Sequence, residues 1–152
     1  MKKRTGDPFM PADAFGRTLA GLGVNLLVEA VEPEVEFLVA VFGAAIVYAD
    51  PDFAVVRIAG GLLLLHADHA YDRHPLIGIV RGAETRGAGV ELRLYDCDPD
   101  KAEAAARESG HAVLAGSLDK PHGLRECHIV SPHGFVFVPC ADVLRRVDAT
   151  VS

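Results

Sequence analysis

Tryptophan is absent, and phenylalanine and tyrosine together supply only 7% of the 152 residues. A chain this poor in flat side chains is not equipped to stack nucleic-acid bases as its main task. Positive charge is also in deficit. Lys and Arg number 15 against 21 Asp and Glu, a formal net charge of -6, whereas phosphate backbones recruit basic surfaces. No nucleic-acid partner is expected. Cysteine is scarce: Cys97, Cys127 and Cys140 are an odd set without CxxC spacing. That pattern excludes a disulfide framework and a structural zinc knuckle, and it reads as buried thiols in a reducing cytoplasm. No apolar run approaches the roughly 20 residues of a membrane span, and no signal-length apolar stretch follows the basic Met1-Lys2-Lys3-Arg4. The expectation is a cytoplasmic protein with no membrane partner.

Half of the residues are hydrophobic, enough at this length for one full core but not for two independent domains. Residues 1–18, with Pro8 and Pro11 among polar neighbours, read as a flexible arm. A single domain is expected over 19–142, and a C-terminal tail over 143–152.

Within that domain the chain repeats itself. Val24, Leu26 and Val28 alternate with Asn25, Leu27 and Glu29, as in a half-buried strand. A helix is predicted next, with Pro33 in its first turn, Val35, Leu38, Val39 and Phe42 at three- and four-residue spacing, and Gly43 as its stop. Three short apolar runs follow at 45–49, 53–58 and 62–66, parted by Asp50-Pro51-Asp52 and Gly60-Gly61. The second half keeps this order. A strand over 90–95 precedes a helix with Asp98 as N-cap and Pro99 at its first position. Strands at about 112–116, 124–130 and 135–139 complete it, the last two joined by Ser131-Pro132-His133-Gly134. Matching Ala30 to Asp98 and Gly61 to Gly134 offsets the halves by about 68 and 73 residues, the mark of a duplicated unit. The modules span about 20–68 and 87–142, with 67–88 as the connection.

In these pieces the sequence resembles the vicinal oxygen chelate superfamily, which groups glyoxalases, bleomycin resistance proteins and extradiol dioxygenases. The likeness is carried by Asn25-Leu26-Leu27-Val28-Glu29-Ala30-Val31, Phe37 to Gly43, Gly60-Gly61-Leu62, Gly87 to Leu94, Asp98-Pro99-Asp100, His122 to Glu126, and the Ser131 to Phe135 turn. It implies an α+β fold of two tandem βαβββ modules, a curved mixed sheet around a cavity, and a homodimer. The superfamily's enzymes hold a divalent metal such as Zn, Fe, Mn or Ni on His, Gln and Glu side chains. The matching positions here are Gly23, Leu65, Gly89 and Val138, which offer no ligating side chain. The resemblance therefore points to the metal-free branch, which includes drug-sequestering proteins.

Alternation directs Asn25, Leu27, Glu91, Arg93 and Tyr95 to the cavity side, joined by Glu126 and His128 over a floor of Leu65, Val136 and Val138. Glu91 or Glu126 could serve as a general base and His128 as a proton shuttle, while Arg93 could grip a carboxylate. The same residues could instead form a cross-strand ion-pair network. Lys120 and His122 belong to a loop that often closes over the ligand in the resembling family. His66, His69 and His74, with Asp68, are a separate metal-ligand candidate. The expected function is a metal-independent protein that binds a small molecule and sequesters an antibiotic or toxic metabolite, without a cofactor. The alternative is a lyase, isomerase or dioxygenase using the pocket carboxylates and histidine or a non-standard metal site.

Overall fold

A computed structural model describes residues 1–71 and 73–144; most of the tail expected over 143–152 lies outside these residues. After a short helix α1 (Ala12–Thr18), the first module comprises β1 (Val24–Val28), α2 (Val31–Phe42), β2 (Ala45–Ala49), β3 (Phe53–Ile58) and β4 (Gly61–Ala67). A connection bearing a one-turn helix α3 (Ile77–Val80) leads to the second module. That module comprises β5 (Glu91–Tyr95), α4 (Pro99–Glu108), β6 (Ala112–Asp119), β7 (Leu124–Val130) and β8 (Val136–Asp142). The two βαβββ modules are thus present, each as its own four-stranded mixed sheet. Their strand orders are β1-β4-β3-β2 and β5-β8-β7-β6, with the first pair of each parallel.

Local chemistry accounts for the boundaries. Gly43 closes α2 in the left-handed conformation at φ 63°, its amide returning to carbonyls of the last turn. Asp98 caps α4 by accepting the Asp100 and Lys101 amides, and Pro99 occupies the first helical position. β6 continues to Asp119 rather than stopping near 116, because bulges after Val113 and Ala115 absorb its irregular stretch. β8 runs past Pro139 to Asp142.

One hydrophobic core serves both modules. Leu26, Val28, Phe37, Leu38 and Leu65 from the first join Leu94, Ala102, Cys127, Ile129 and Phe137 from the second. Phe37 and Phe137 meet across the boundary with ring centroids 5.6 Å apart. A polar staple joins the modules beside it. Fully buried Glu34 of α2 accepts from His133 Nδ1 at 2.7 Å, while His133 Nε2 accepts the Ala30 amide at 3.4 Å. Ala30 is the N-cap of α2 and has no capping side chain, so the turn of the other module serves that helix end. The connection presses on the same turn: a Cβ on Gly134 would lie 2.5 Å from Glu84 O and Thr85 Cα. Only glycine permits that approach. Since both sheets turn their helix-bearing side into the shared core, their open faces lie away from it.

The arm expected to be loose is engaged with the first open face. Asp52 accepts the Lys3 amide at 2.6 Å and the Arg4 amide at 3.2 Å, and Phe9 stacks on Tyr48 with centroids 4.5 Å apart.

Candidate functional site

Two groupings of side chains arise on the open faces. On the first sheet, β1 and β4 pair in parallel with Asn25 opposite Leu64 and Leu26 opposite Leu65. Leu65 therefore shares the helix-facing side with Leu26 and is fully buried in the core. Its expected place on the cavity floor is corrected. The run Leu62-Leu63-Leu64-Leu65 has no alternation from which to phase the strand, and pairing with β1 decides it. Leu64 and His66 take the open side instead.

There the arm and the sheet enclose a cavity of about 440 Å³, lined by Asn25, Tyr48, Asp52, Phe53, Leu64, His66 and Tyr71, with Lys2, Arg4, Phe9, Met10 and Phe15 from the arm. No residue of the second module lines it. His66 Nδ1 lies 2.5 Å from Asn25 Oδ1. Because a carboxamide oxygen only accepts, the ring proton sits on Nδ1 and Nε2 keeps a lone pair. Burial, with the neighbouring His74, pushes the His66 pKa down to about 4, so the ring is uncharged at neutral pH. Asp52 is also buried, which alone would raise its pKa. The Lys3 amide, His69 and the Arg4 amide outweigh that and hold it below the ordinary value. Tyr48 donates to Asp50 Oδ2, and that hydrogen bond, then burial, raises the phenol pKa.

The three histidines considered as a metal cluster are engaged separately. His66 bonds Asn25, His69 Nε2 bonds Asp52 Oδ1 at 2.8 Å, and His74 Nδ1 accepts the Leu76 amide at 3.1 Å. Among the described residues no three His, Cys, Asp or Glu side chains are grouped so as to hold a metal ion. The donor set of the superfamily's metal centre is not matched either. Gly23, Gly89 and Val138 have nothing to donate, and Leu65 faces the core. The residues do not fit that group.

On the second sheet the structure gathers most of the anticipated polar residues. Register places Glu91 beside Val136, Arg93 beside Val138 and Tyr95 beside Cys140, with Glu126 opposite Cys140, so these share one face. Arg93 bridges Glu91, at 3.0 Å, and buried Glu126. His128 Nε2 lies 3.1 Å from Glu91 Oε1. From the loop, Lys120 Nζ and His122 Nε2 approach the Glu126 oxygens at 3.9 and 3.6 Å. Val138 is buried beneath this network, and Tyr95 at its margin is 61% exposed. Hydrogen bonds from Arg93 and then His128 lower the Glu91 pKa, which weakens it as a proton acceptor. Arg93, its pKa raised by Glu126 above all, already spends its guanidinium on two carboxylates. The cross-strand ion-pair network is the arrangement present.

The aromatic residues of the first cavity escaped the sequence reading. Phe9 and Phe15 lie within residues 1–18, where prolines and charged residues predict an arm, and the pair of phenylalanines is the available signal.

No protein-family model matches the chain, and no curated protein does. Solved structures do. TioX from Micromonospora sp. ML1 is 19% identical with a TM-score of 0.61, covering 82% of this chain and 97% of its own. A glyoxalase-related enzyme from Fulvimarina pelagi is 16% identical with a TM-score of 0.64, covering 82% and 89%. The fosfomycin resistance protein FosX from Listeria monocytogenes is 15% identical with a TM-score of 0.61, covering 84% and 97%. At such identities the likeness establishes the fold alone: this chain has the glyoxalase/bleomycin-resistance fold. No helix among the described residues is long and apolar enough to cross a membrane.

Proposed function

We propose that the protein is a metal-independent binder of a small organic molecule, sequestering an antibiotic or toxic metabolite in the cytoplasm as a homodimer. The observation that carries this reading is the cavity of about 440 Å³ on the first sheet. It falls in the roughly 300–1,000 Å³ range of small-molecule sites and has their composition, an apolar lining with a few polar groups. The metal positions of the superfamily, held here by side chains without donor atoms, support independence from a cation. Three unpaired cysteines suit a reducing compartment. Large exposed apolar residues on the second module, among them Val90, Leu114 and Leu118, suit burial against a second copy.

Native mass spectrometry with elemental analysis, on protein purified without added metal, tests the reading. The expected outcome is a two-chain species, metal far below one equivalent, and a small molecule retained unchanged at fixed stoichiometry. A stoichiometric transition metal needed for binding, or conversion of the retained molecule, would overturn it.

A second reading, a lyase, isomerase or dioxygenase working on the other open face, rests on the proximity of Glu91, Arg93, Glu126 and His128, and the ion pairs among them weigh against it. Loss of turnover in Glu91→Gln with binding intact would establish it; unchanged chemistry in that variant would dismiss it.

A further inference from the structure

Aromatic side chains are few in this chain but unevenly placed. Of its seven Phe and three Tyr, five line the first-sheet cavity: Phe9 and Phe15 from the arm, Tyr48 and Phe53 from the first module, and Tyr71 from the start of the connection. Phe9 stacks on Tyr48, Phe15 meets Phe53 edge-on at 5.9 Å, and His66 bridges Phe53 and Tyr71 at 4.6 and 4.1 Å. The rings form an almost continuous wall. We infer that the N-terminal arm is a structural part of the ligand site, and that the arm and the first module together form an aromatic box for a flat, aromatic, uncharged molecule bound within one chain.

Energetics point the same way. Ordering a backbone residue costs about 1–2 kcal/mol in entropy, yet α1 buries none of its residues and contributes nothing to the common core. The arm is held instead at one end, by Asp52 gripping two of its amides, and its two rings are spent on the cavity. The ring surface that borders the cavity lacks contact partners that a flat guest would supply. Charge is handled consistently. Asp52 is occupied by the arm amides and His69, Asp50 accepts from Tyr48, and the His66 ring is neutral at physiological pH while its Nε2 can accept a hydrogen bond. Arg4, which also lines the cavity, is paired with Asp50 at 3.8 Å and donates to Gly6 O at 3.2 Å, and Lys2 at the lining can donate to an acceptor atom on the guest. A saturated ring of equal size would fill the volume but forgo stacking.

This inference rests on the small-molecule reading above, and its test separates the two. Without tryptophan the protein has little fluorescence of its own, so binding of 7-hydroxycoumarin, a flat probe with a carbonyl acceptor, is followed directly in the full-length chain. Decahydronaphthalen-2-ol, a saturated bicycle, is the control, competed against the coumarin. The expected result is saturable binding at one probe per chain, at least tenfold weaker for the saturated alcohol. Affinity should fall about tenfold in the double variant Phe9→Ala, Phe15→Ala and stay unchanged in Ile79→Ala, an exposed position outside the cavity lining. If circular dichroism shows the alanine variant misfolded, Phe9→Leu, Phe15→Leu replaces it with the same expectation. Equal affinity for both probes overturns the aromatic class. Wild-type affinity in the arm variants overturns the arm's role. Either result leaves the small-molecule reading standing. Failure of the wild-type chain to saturate with the coumarin overturns this inference, and the native mass measurement then decides the broader reading by itself.

Discussion

His66 shows how one side chain links packing to solution behaviour. Burial depresses its pKa from 6.5 to about 4, so on acidification the unfolded chain takes up its proton before the folded chain does. The stability at stake is full above about pH 6.5, declines as pH falls, and is gone near pH 4. The partly exposed ring reduces the size of the effect, and a loss of about 1–2 kcal/mol is expected across that window. Urea midpoints measured between pH 7 and 4 should fall accordingly, and His66→Phe should flatten the dependence. His133 acts through a different cost. Replacing it with Ala would leave fully buried Glu34 without the partner it has among the described residues, and stranding a buried acceptor in this way costs about 1–3 kcal/mol. A midpoint shift much below that size would show that Glu34 finds another partner. Neither role could be seen in the residue string. The face of His66 depended on which leucine of a four-leucine run paired with Leu26, and the partner of His133 lies 99 residues away.

At the scale of elements, sequence chemistry was legible wherever punctuation was local. The N-cap Asp98, the Gly43 stop and the strand over 124–130 fall where propensity and capping place them. The β3–β4 hairpin differs in detail. Ile58 pairs with Gly61, so the two-residue turn is Ala59-Gly60, with φ values of 47° and 76°, rather than Gly60-Gly61. Positive φ at both central residues is the primed turn that suits strand twist, and alanine is poorly matched to it. Ala59→Asn should therefore stabilise the protein by about 0.5–1 kcal/mol, read as a higher denaturant midpoint with an unchanged slope. A neutral or negative result would mean the side chain matters more at this position than backbone strain does. The contacts of the arm are hidden from the sequence for the opposite reason. Its acceptor Asp52 and stacking partner Tyr48 sit some 40 or more positions downstream, and a polar, proline-bearing segment carries no periodicity that reveals such partners.

For the whole molecule, the decisive arrangement is the single core between the two helix-bearing sides. The duplication was readable because each module repeats the same order of apolar runs and turn residues. How the modules pack on each other was not, because it turns on Phe37, Phe137 and the Glu34–His133 staple meeting across the boundary. This packing keeps the two open faces from sharing one cavity within a chain, and among the described residues the first-sheet cavity is lined by the arm, the first module and the start of the connection. Ligand binding and assembly should then be separable. Leu114 and Leu118 of β6 are 69% and 58% exposed, and replacing both with Glu places two charges on an apolar surface that a second copy would have to desolvate. With the wild type paired as proposed, sedimentation velocity should show the double variant as a single chain, while its affinity for a flat aromatic probe stays within about twofold of the wild type. A box built across two copies would behave otherwise. Its affinity would collapse with the dimer, and wild-type binding would weaken on dilution below the dissociation constant of the pair.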